Sequence, residues 1–159
     1  MNGLLWNILL ALVWVGMTGD FTPGNFVIGF ALGLLILFFA RRVVATPNYL
    51  VKIVQAAELF VFVLWELILA NLRVAYDVMT PGYRMRPGVV GIPLDARTDA
   101  EITLLANLIT LTPGTLSLDV STDRRVLYIH VMYIDNDDLD EVRRKIKNGF
   151  ERRVLEVLR

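Results

Sequence analysis

The chain of 159 residues contains no cysteine and only one histidine, His130. Without cysteine it has no disulfide, no thiolate-bound zinc or iron–sulfur cluster and no thiol catalysis. A single histidine also excludes a metal site built on a pair of histidines within one chain. The sequence contains no nucleophile–base pair, phosphate loop or EF-hand spacing. We therefore predict that the protein is not an enzyme and has no catalytic, cofactor-binding or metal site.

Charge is almost missing from the first quarter of the chain. Residues 1–40 carry one charged side chain, Asp20, although 20% of all residues are charged and the formal net charge is zero. Residues 41–87 carry an excess of three positive charges, and residues 88–159 an excess of two negative charges. This pattern excludes a simple soluble globule, a disordered chain and a nucleic-acid binder that relies on bulk charge. It indicates a membrane anchor joined to a small water-exposed domain.

Two uncharged apolar runs, residues 4–17 and 26–40, predict a transmembrane helical hairpin within residues 1–45. Each run is slightly shorter than the roughly 20 residues that span a bilayer, and the uncharged flanks bring both close to that length. Pro23-Gly24 marks the turn between them. Arg41-Arg42 follow the second run, so the positive-inside rule places this end and the N-terminus in the cytoplasm and Asp20 at the outer face.

Two features of the predicted hairpin have alternative interpretations. Gly29-x-x-x-Gly33 has the spacing that lets helix backbones approach closely in lipid. The two glycines are explained either by contact with a partner helix or by packing inside the hairpin itself. Asn7 places a polar group among apolar residues, and it bonds either across the hairpin or to a partner.

A third apolar segment, residues 49–78, predicts one long helix within residues 46–87. Its polar side chains fall within roughly one third of the helix circumference, as in an amphipathic helix that lies in the membrane interface or packs against other membrane subunits. The basic linker at residues 83–87 favours the cytoplasm, so we favour a helix that returns to that side over a third span. The polar stripe consists of Lys52, Gln55, Glu58, Glu66, Arg73 and Asp77.

Three acidic residues are candidates for an ion path: Asp20, Glu58 and Glu66. Carboxylates within a membrane often carry protons or cations. The alternative for Glu58 and Glu66 is that they belong to the wet face of the helix and pair with Lys52, Arg73 or a neighbouring chain. We favour this structural interpretation because most of the stripe is charged.

Residues 88–159 predict a small cytoplasmic α+β domain. A strand at residues 89–94 is followed by Thr98-x-x-Glu101, a capping box that begins a helix, and Pro113-Gly114 ends that helix. Alternating residues 115–120 and 126–133 predict a hairpin, and a charged helix starts among Asp137, Asp138, Asp140 and Glu141. The order β-α-β-β-α indicates helices on one face of an antiparallel or mixed sheet, as in a truncated ferredoxin-like fold.

Periodicity also predicts which residues of this domain face its core. Leu127, Ile129 and Val131 alternate with Tyr128, His130 and Met132, so His130 is expected to look away from the helices and to have a structural or interface role. A ligand-binding or regulatory role around His130 is the alternative. The core stripe of the last helix is predicted to consist of Leu139, Val142, Ile146, Phe150, Val154, Leu155 and Leu158.

The segment 106–120, ANLITLTPGTLSLDV, followed by 127–133, LYIHVMY, closely resembles the E subunit of the multisubunit sodium/proton antiporters of the Mrp, Mnh or Pha type. The NLITLTPGTL stretch is the specific part of this resemblance, and the apolar segments are generic. The resemblance covers essentially the whole chain. Its signature positions are explained most readily as a helix end, a turn and a strand start: Asn107, Thr110, Thr112, Pro113, Gly114 and Thr115.

The resemblance implies an accessory subunit of a bacterial inner-membrane complex that exchanges cytoplasmic sodium for external protons. It implies partners of the A, B, C, D, F and G type, with the ion paths in the large A and D subunits, and a role of this chain in assembly or full activity. It supplies no catalytic residues. A direct contribution to the ion path and a regulatory cytoplasmic module are the alternative functions.

Overall fold

The computed structural model describes residues 2–40, 49–80, 85–134 and 138–159. Residue contacts divide the chain into two compact units, Met1–Val54 and Gln55–Arg159. Arg41, Arg42, the start of the predicted basic linker and Asp137 lie outside the described residues. The domain boundaries that the sequence suggests at residues 45 and 87 stay predictions.

The first unit contains a hairpin of two apolar helices, α1 (Asn2–Thr18) and α2 (Pro23–Phe39). The hydroxyl of Thr22 accepts a hydrogen bond from the backbone N–H of Asn25 at 3.4 Å, and Pro23 occupies the first turn of α2. An N-cap hydroxyl accepts one of the free backbone N–H groups at the start of a helix, and a proline in the first turn has no N–H that needs a partner. Both therefore favour a helix start. Most large apolar side chains of the hairpin point outward.

The two glycines of α2 bring the helices of this hairpin close together. A Cβ atom on Gly29 would lie 2.9 Å from the Trp14 side chain and 3.0 Å from the Ala11 carbonyl oxygen, and one on Gly33 would overlap the Asn7 side chain. Both glycines therefore serve packing inside the hairpin. Asn7 is fully buried, and its Nδ2 donates to the hydroxyl of Tyr49 at 3.3 Å.

Helix α3 (Tyr49–Met79) is the longest element, at 31 residues. Its stretch Val51–Met79 is the one described helix that is long and apolar enough to cross a membrane, whereas α1 and α2 are shorter apolar helices. The boundary between the two compact units falls after its sixth residue, Val54.

The second unit combines the rest of α3 with a sheet of three strands and the helices that pack on it, which together we call the small domain. Strands β1 (Gly88–Pro93), β2 (Thr115–Val120) and β3 (Val126–Val131) pair in the order β1-β3-β2, and both pairs are antiparallel. The register of β2 shifts between Ser117 and Asp119. The first strand lies one residue earlier than predicted, because β1 begins at Gly88 and ends at Pro93. The last predicted strand was two residues too long, because β3 ends at Val131.

Helix α4 (Asp99–Leu111) covers one face of this sheet and begins at the predicted capping box. The hydroxyl of Thr98 accepts the N–H of Glu101 at 3.2 Å, while Oε2 of Glu101 accepts the N–H of Thr98 at 3.2 Å. As predicted, Leu127, Ile129 and Val131 face the core, where they pack with Leu105 and Ile109 of α4. Phe62 and Val63 of α3 pack against the same core.

The last helical segment is interrupted, which the sequence did not predict. It consists of α5 (Leu139–Lys145), a π-helical turn (Ile146–Glu151) and α6 (Arg152–Leu158). A π-helical turn contains an extra residue, so the side chains that follow it are rotated around the helix. Two residues of the predicted core stripe, Leu139 and Leu158, are exposed, whereas Glu151 is 1% exposed.

Candidate functional site

The part of the polar stripe from Glu58 to Asp77 faces the small domain, and the two surfaces form what we call the docking seam. Its centre is an aromatic contact, in which the rings of Phe62 and Phe150 meet edge to face with centroids 5.2 Å apart. The guanidinium of Arg153 lies 4.0 Å from the centroid of the Phe62 ring. Edge-to-face rings and a cation over a ring both add to the burial of apolar area. Phe62 therefore fixes the small domain on α3.

The two acidic candidates on α3 each pair with a cation of the small domain. Oε1 of Glu58 lies 3.3 Å from Nε of Arg153, and Oε2 of Glu66 lies 3.6 Å from Nζ of Lys145. The Glu66 side chain is 16% exposed and that of Glu58 is 52% exposed. The two acids are about 12 Å apart along the helix axis, so they form two separate pairs. The sequence had suggested Lys52, Arg73 or a neighbouring chain as the source of these cations.

A second polar cluster lies near the C-terminal end of α3. The hydroxyl of Tyr133 donates a hydrogen bond to Oδ2 of Asp77 at 2.5 Å, and the guanidinium of Arg73 lies 5.4 Å from the centroid of the Tyr133 ring. The hydrogen bond to Asp77 and the burial of the hydroxyl raise the pKa of Tyr133 above its ordinary value of 10.0. Tyr133 therefore stays protonated and serves as a donor at this end of the seam.

A cavity of about 210 Å³ lies between α3 and the small domain, within the second unit. Charged side chains of both signs line it, among them Glu66, Arg73 and Lys145. The turn at residues 112–115, which belongs to the NLITLTPGTL stretch, forms one wall of the cavity. This turn is held from within, because the hydroxyl of Thr115 lies 2.6 Å from the Ile109 carbonyl oxygen and 2.9 Å from that of Thr112.

The backbone at position 114 explains why this turn requires glycine. Its φ of +89° lies in the left-handed region, which other residues rarely adopt. A Cβ atom there would also lie 3.3 Å from the ring of Tyr133. The signature residues around it thus have the structural role that the sequence suggested, as a helix end, a turn and a strand start.

The third acidic candidate, Asp20, lies in the turn between α1 and α2. Its Oδ2 accepts from the hydroxyl of Thr22 at 3.2 Å, and its main-chain oxygen accepts from Nδ2 of Asn25 at 2.7 Å. It belongs to the first compact unit, whereas Glu58 and Glu66 belong to the second. The described contacts therefore do not assemble the three acids into one site.

Sequence reasoning missed a buried acid at the π-helical turn. Oε1 of Glu151 accepts the backbone N–H groups of Asp95 and Ala96 at 2.6 and 2.9 Å, and its Oε2 lies 3.6 Å from Nζ of Lys147. Glu151 thus holds the loop between β1 and α4. An uninterrupted helix would not predict this burial, and the sequence carries no evident signal for the π-helical turn.

A second missed ion pair connects α4 with the end of α6. Nε and Nη2 of Arg159 donate to the two carboxylate oxygens of Glu101 at 3.0 and 3.3 Å. The hydrogen bonds from Arg159 and from the N–H groups of Arg97 and Thr98 lower the pKa of Glu101 from 4.5 to about 2. The capping box was visible in the sequence, but its partner 58 residues away was not.

His130 lies on the face of the sheet opposite the core and is partly exposed. Its register neighbours on β1 and β2, Val89 and Leu116, are exposed as well. Within residues 2–40, 49–80, 85–134 and 138–159, no group of three acidic or histidine side chains is placed to hold a metal ion. His130 therefore belongs to an open, mainly apolar sheet surface.

These features define a class of protein with an apolar helical hairpin and a small α+β domain docked on a long amphipathic helix. A family model described as a Na+/H+ ion antiporter subunit matches residues 7–157. The E subunit of the Na(+)/H(+) antiporter of Alkalihalophilus pseudofirmus is 40% identical over 154 residues, which is 97% of this chain and 96% of the relative. That of Bacillus subtilis is 39% identical over 156 residues, covering 98% of each chain. The chain belongs to the family of Na+/H+ antiporter E subunits.

Two solved structures have a similar fold. A chain of the membrane-bound sulfane sulfur reductase, an archaeal respiratory membrane complex, superposes with a TM-score of 0.58 at 26% identity, and 96% of each chain is covered. A chain of the Mrp complex from Dietzia sp. gives a TM-score of 0.50 at 27% identity, covering 71% of this chain and 98% of that one. Both similarities concern subunits of membrane complexes.

Proposed function

We propose that this protein is an accessory subunit of a multisubunit sodium/proton antiporter, needed for assembly or full activity of the complex. The docking seam is the observation that carries this proposal. Glu58 and Glu66, which the sequence offers as ion-path candidates, each have a cation of the small domain beside them. Acids in this arrangement hold a domain in place, and the ion path then lies in other subunits of the complex.

Membership of the E-type family and the similarity to a chain of an Mrp complex support partners of the A, B, C, D, F and G type. The apolar hairpin supports a multi-pass protein of the bacterial inner membrane with both termini in the cytoplasm. Strand order β1-β3-β2 supports a truncated ferredoxin-like small domain. Together these features support our proposal of a domain that is anchored at the cytoplasmic face of a transport complex.

Exchanging the two charges of one ion pair in the docking seam tests the accessory role. In the double variant with Glu66→Lys and Lys145→Glu, the pair keeps opposite charges at the same positions. If Glu66 only holds the small domain, each single variant weakens assembly of the complex on native gels and the exchange restores both assembly and sodium-dependent proton movement in vesicles. Loss of transport in an exchanged complex that assembles normally contradicts this proposal.

The competing function is a direct contribution to the ion path through Asp20, Glu58 or Glu66. Neutralising each acid as Asp20→Asn, Glu58→Gln or Glu66→Gln separates the two functions, because a conducting carboxylate is needed for transport and not for assembly. We expect transport per assembled complex to stay close to that of the wild type. Glu156→Gln is the matched control, because Glu156 lies on α6 and pairs with Arg152.

The partial exposure of His130 supports a third candidate function, a regulatory module that responds to pH or a ligand. Its test is the pH–activity profile of the antiporter with His130→Ala. We expect an unchanged profile, since the accessory role assigns no titrating function to this residue. A displaced profile in a normally assembled complex favours regulation through the small domain.

A further inference from the structure

Helix α3 has a second face, on the side away from the docking seam. Between Phe60 and Met79 this apolar face contains no Asp, Glu, Lys or Arg, and its side chains lie within an arc of about 160° at 100° per residue. Glu58, just before this stretch, lies at the edge of the arc and belongs to the docking seam. The amide of Asn71 lies within the same arc, and its Nδ2 donates to the Leu67 carbonyl oxygen at 2.7 Å. The large side chains of the face are 44% to 85% exposed: Phe60, Val61, Leu64, Trp65, Ile68, Leu72, Tyr76 and Met79.

The docking seam limits where this helix can lie. From Glu58 to Asp77 it extends about 29 Å along the helix axis, which is close to the roughly 30 Å thickness of the hydrocarbon layer. If α3 crossed the bilayer, the small domain beside it would lie in the hydrocarbon with its charged side chains, Arg153 and Lys145 among them. Buried charges are expensive in that layer. A formed seam is therefore incompatible with a crossing helix.

The start of α3 lies against the membrane hairpin. The ring of Tyr49 lies where a Cβ on Gly3 would stand, and its hydroxyl accepts from Asn7. These contacts are at the N-terminal end of α1, away from the turn that contains Asp20. The first turn of α3 thus packs on the hairpin within the first unit. On the apolar face, Trp65 and Tyr76 are residue types that accumulate at membrane–water interfaces.

We propose that α3 lies along the bilayer surface as an interfacial helix, with its apolar face in lipid and the small domain on its other side. Lipid fits this face because the face carries no charge between Phe60 and Met79, its one amide is bonded to the helix backbone, and the charged side of the helix is covered by the small domain. An amphipathic helix of this kind inserts about 5–10 Å below the headgroups. The inference rests on the proposed membrane complex but not on the accessory role.

Cysteine variants test this placement directly, since the chain contains no native cysteine. Nitroxide labels at Phe60→Cys, Leu64→Cys, Ile68→Cys and Leu72→Cys, in the assembled complex in liposomes, report collisions with oxygen and with a water-soluble nickel chelate. We expect oxygen to exceed the chelate several-fold at all four positions and the derived depths to agree within a few Å. Glu156→Cys on α6 serves as an aqueous control.

Three results would overturn the proposal. A depth that increases and then decreases from residue 60 to residue 72 indicates a crossing helix. Immobile labels that neither reagent reaches indicate that another protein chain covers the face. Preferential collision with the chelate at all four positions indicates a face in water. The accessory role is tested separately by the exchange of Glu66 and Lys145, so failure of that test together with four equal depths counts against the accessory role and not against the interfacial helix.

Discussion

The two compact units of this chain are stabilised in opposite ways. In the hairpin, two glycines let α1 and α2 approach until the Asn7 side chain meets the Gly33 backbone, and most apolar side chains face outward. In the second unit, apolar side chains face inward around Ile129, and charged pairs connect its elements. The proposed membrane location of the hairpin explains its packing, because helices in lipid gain little from burying apolar area against each other and rely on close backbone contact. In water, the burial of apolar area dominates.

The largest expected effect is on the aromatic core of the second unit. Phe150→Ala removes a ring that is 3% exposed and contacts Phe62, so we expect a loss of about 3–5 kcal/mol in the free energy of unfolding. Phe60→Ala, on the apolar face of α3 and 69% exposed, is the matched control and should change it by less than about 0.5 kcal/mol. Denaturant unfolding of the purified chain in detergent measures both. Equal losses would contradict a core that depends on Phe150.

We expect added side-chain volume to destabilise the hairpin, whereas lost side-chain volume destabilises the second unit. Gly29→Ala places a Cβ about 3 Å from the Ala11 carbonyl oxygen, so overpacking should cost about 1–3 kcal/mol. Gly16→Ala is the control, because a Cβ there meets no atom within 4 Å. Thermal unfolding of the two variants in detergent should separate them. A stable Gly29→Ala hairpin would mean that close packing of α1 and α2 is not needed.

An effect of pH is expected from Glu101 in the charged unit. Because the folded pKa of Glu101 is about 2 and its ordinary value is 4.5, the ionised carboxylate stabilises the fold fully above pH 4.5, and this contribution disappears as the pH falls toward 2. Arg159→Gln should raise the pKa of Glu101 and flatten the loss of stability over that interval. Acid unfolding followed by circular dichroism measures it. Arg152→Gln, whose partner is Glu156, should keep the wild-type slope.

The smallest effect is expected for the single pairs of the docking seam. A double-mutant cycle with Glu66→Gln and Lys145→Gln should give a coupling of about 0.2–1 kcal/mol, because Lys145 is largely exposed. The same cycle on Arg152 and Glu156, an exposed pair within α6, should give a value at the low end of that range. A coupling above about 2 kcal/mol would mean that the ion pairs, and not Phe62, hold the small domain on α3.

Local patterns in the sequence predicted the elements well. The capping box began α4 at Thr98, Pro113-Gly114 ended it, and alternation gave β2 its observed bounds. These signals depend on neighbours within a few residues and are readable without tertiary structure. The last helix shows the limit, because the π-helical turn at Ile146–Glu151 rotated Glu151 into the interior. The backbone N–H groups that bind Glu151 belong to Asp95 and Ala96, which are far away in the sequence, so no local pattern predicts this contact.

The candidate residues show the same division. Sequence periodicity gathered Glu58, Glu66, Arg73 and Asp77 on one face of α3, and the structure agrees. It did not identify Arg153, Lys145 and Tyr133, about 56 to 95 positions further along the chain, as the groups that meet this face. Glycine spacing likewise left open whether Gly29 and Gly33 serve a partner or the hairpin, which the contacts with Trp14 and Asn7 decide.

The sequence by itself determined the apolar hairpin, the amphipathic stripe, the capping box and the family resemblance, because hydropathy, periodicity and short motifs act over a few residues. The tertiary structure decided that the stripe docks the small domain on α3, that Phe62 completes the core around Phe150, and that Glu101 and Glu151 are buried acids with distant partners. Such contacts join residues that are far apart in the chain. Only the packed fold fixes the distance between the partners and the low dielectric around them, and both decide whether a buried charge is stabilising.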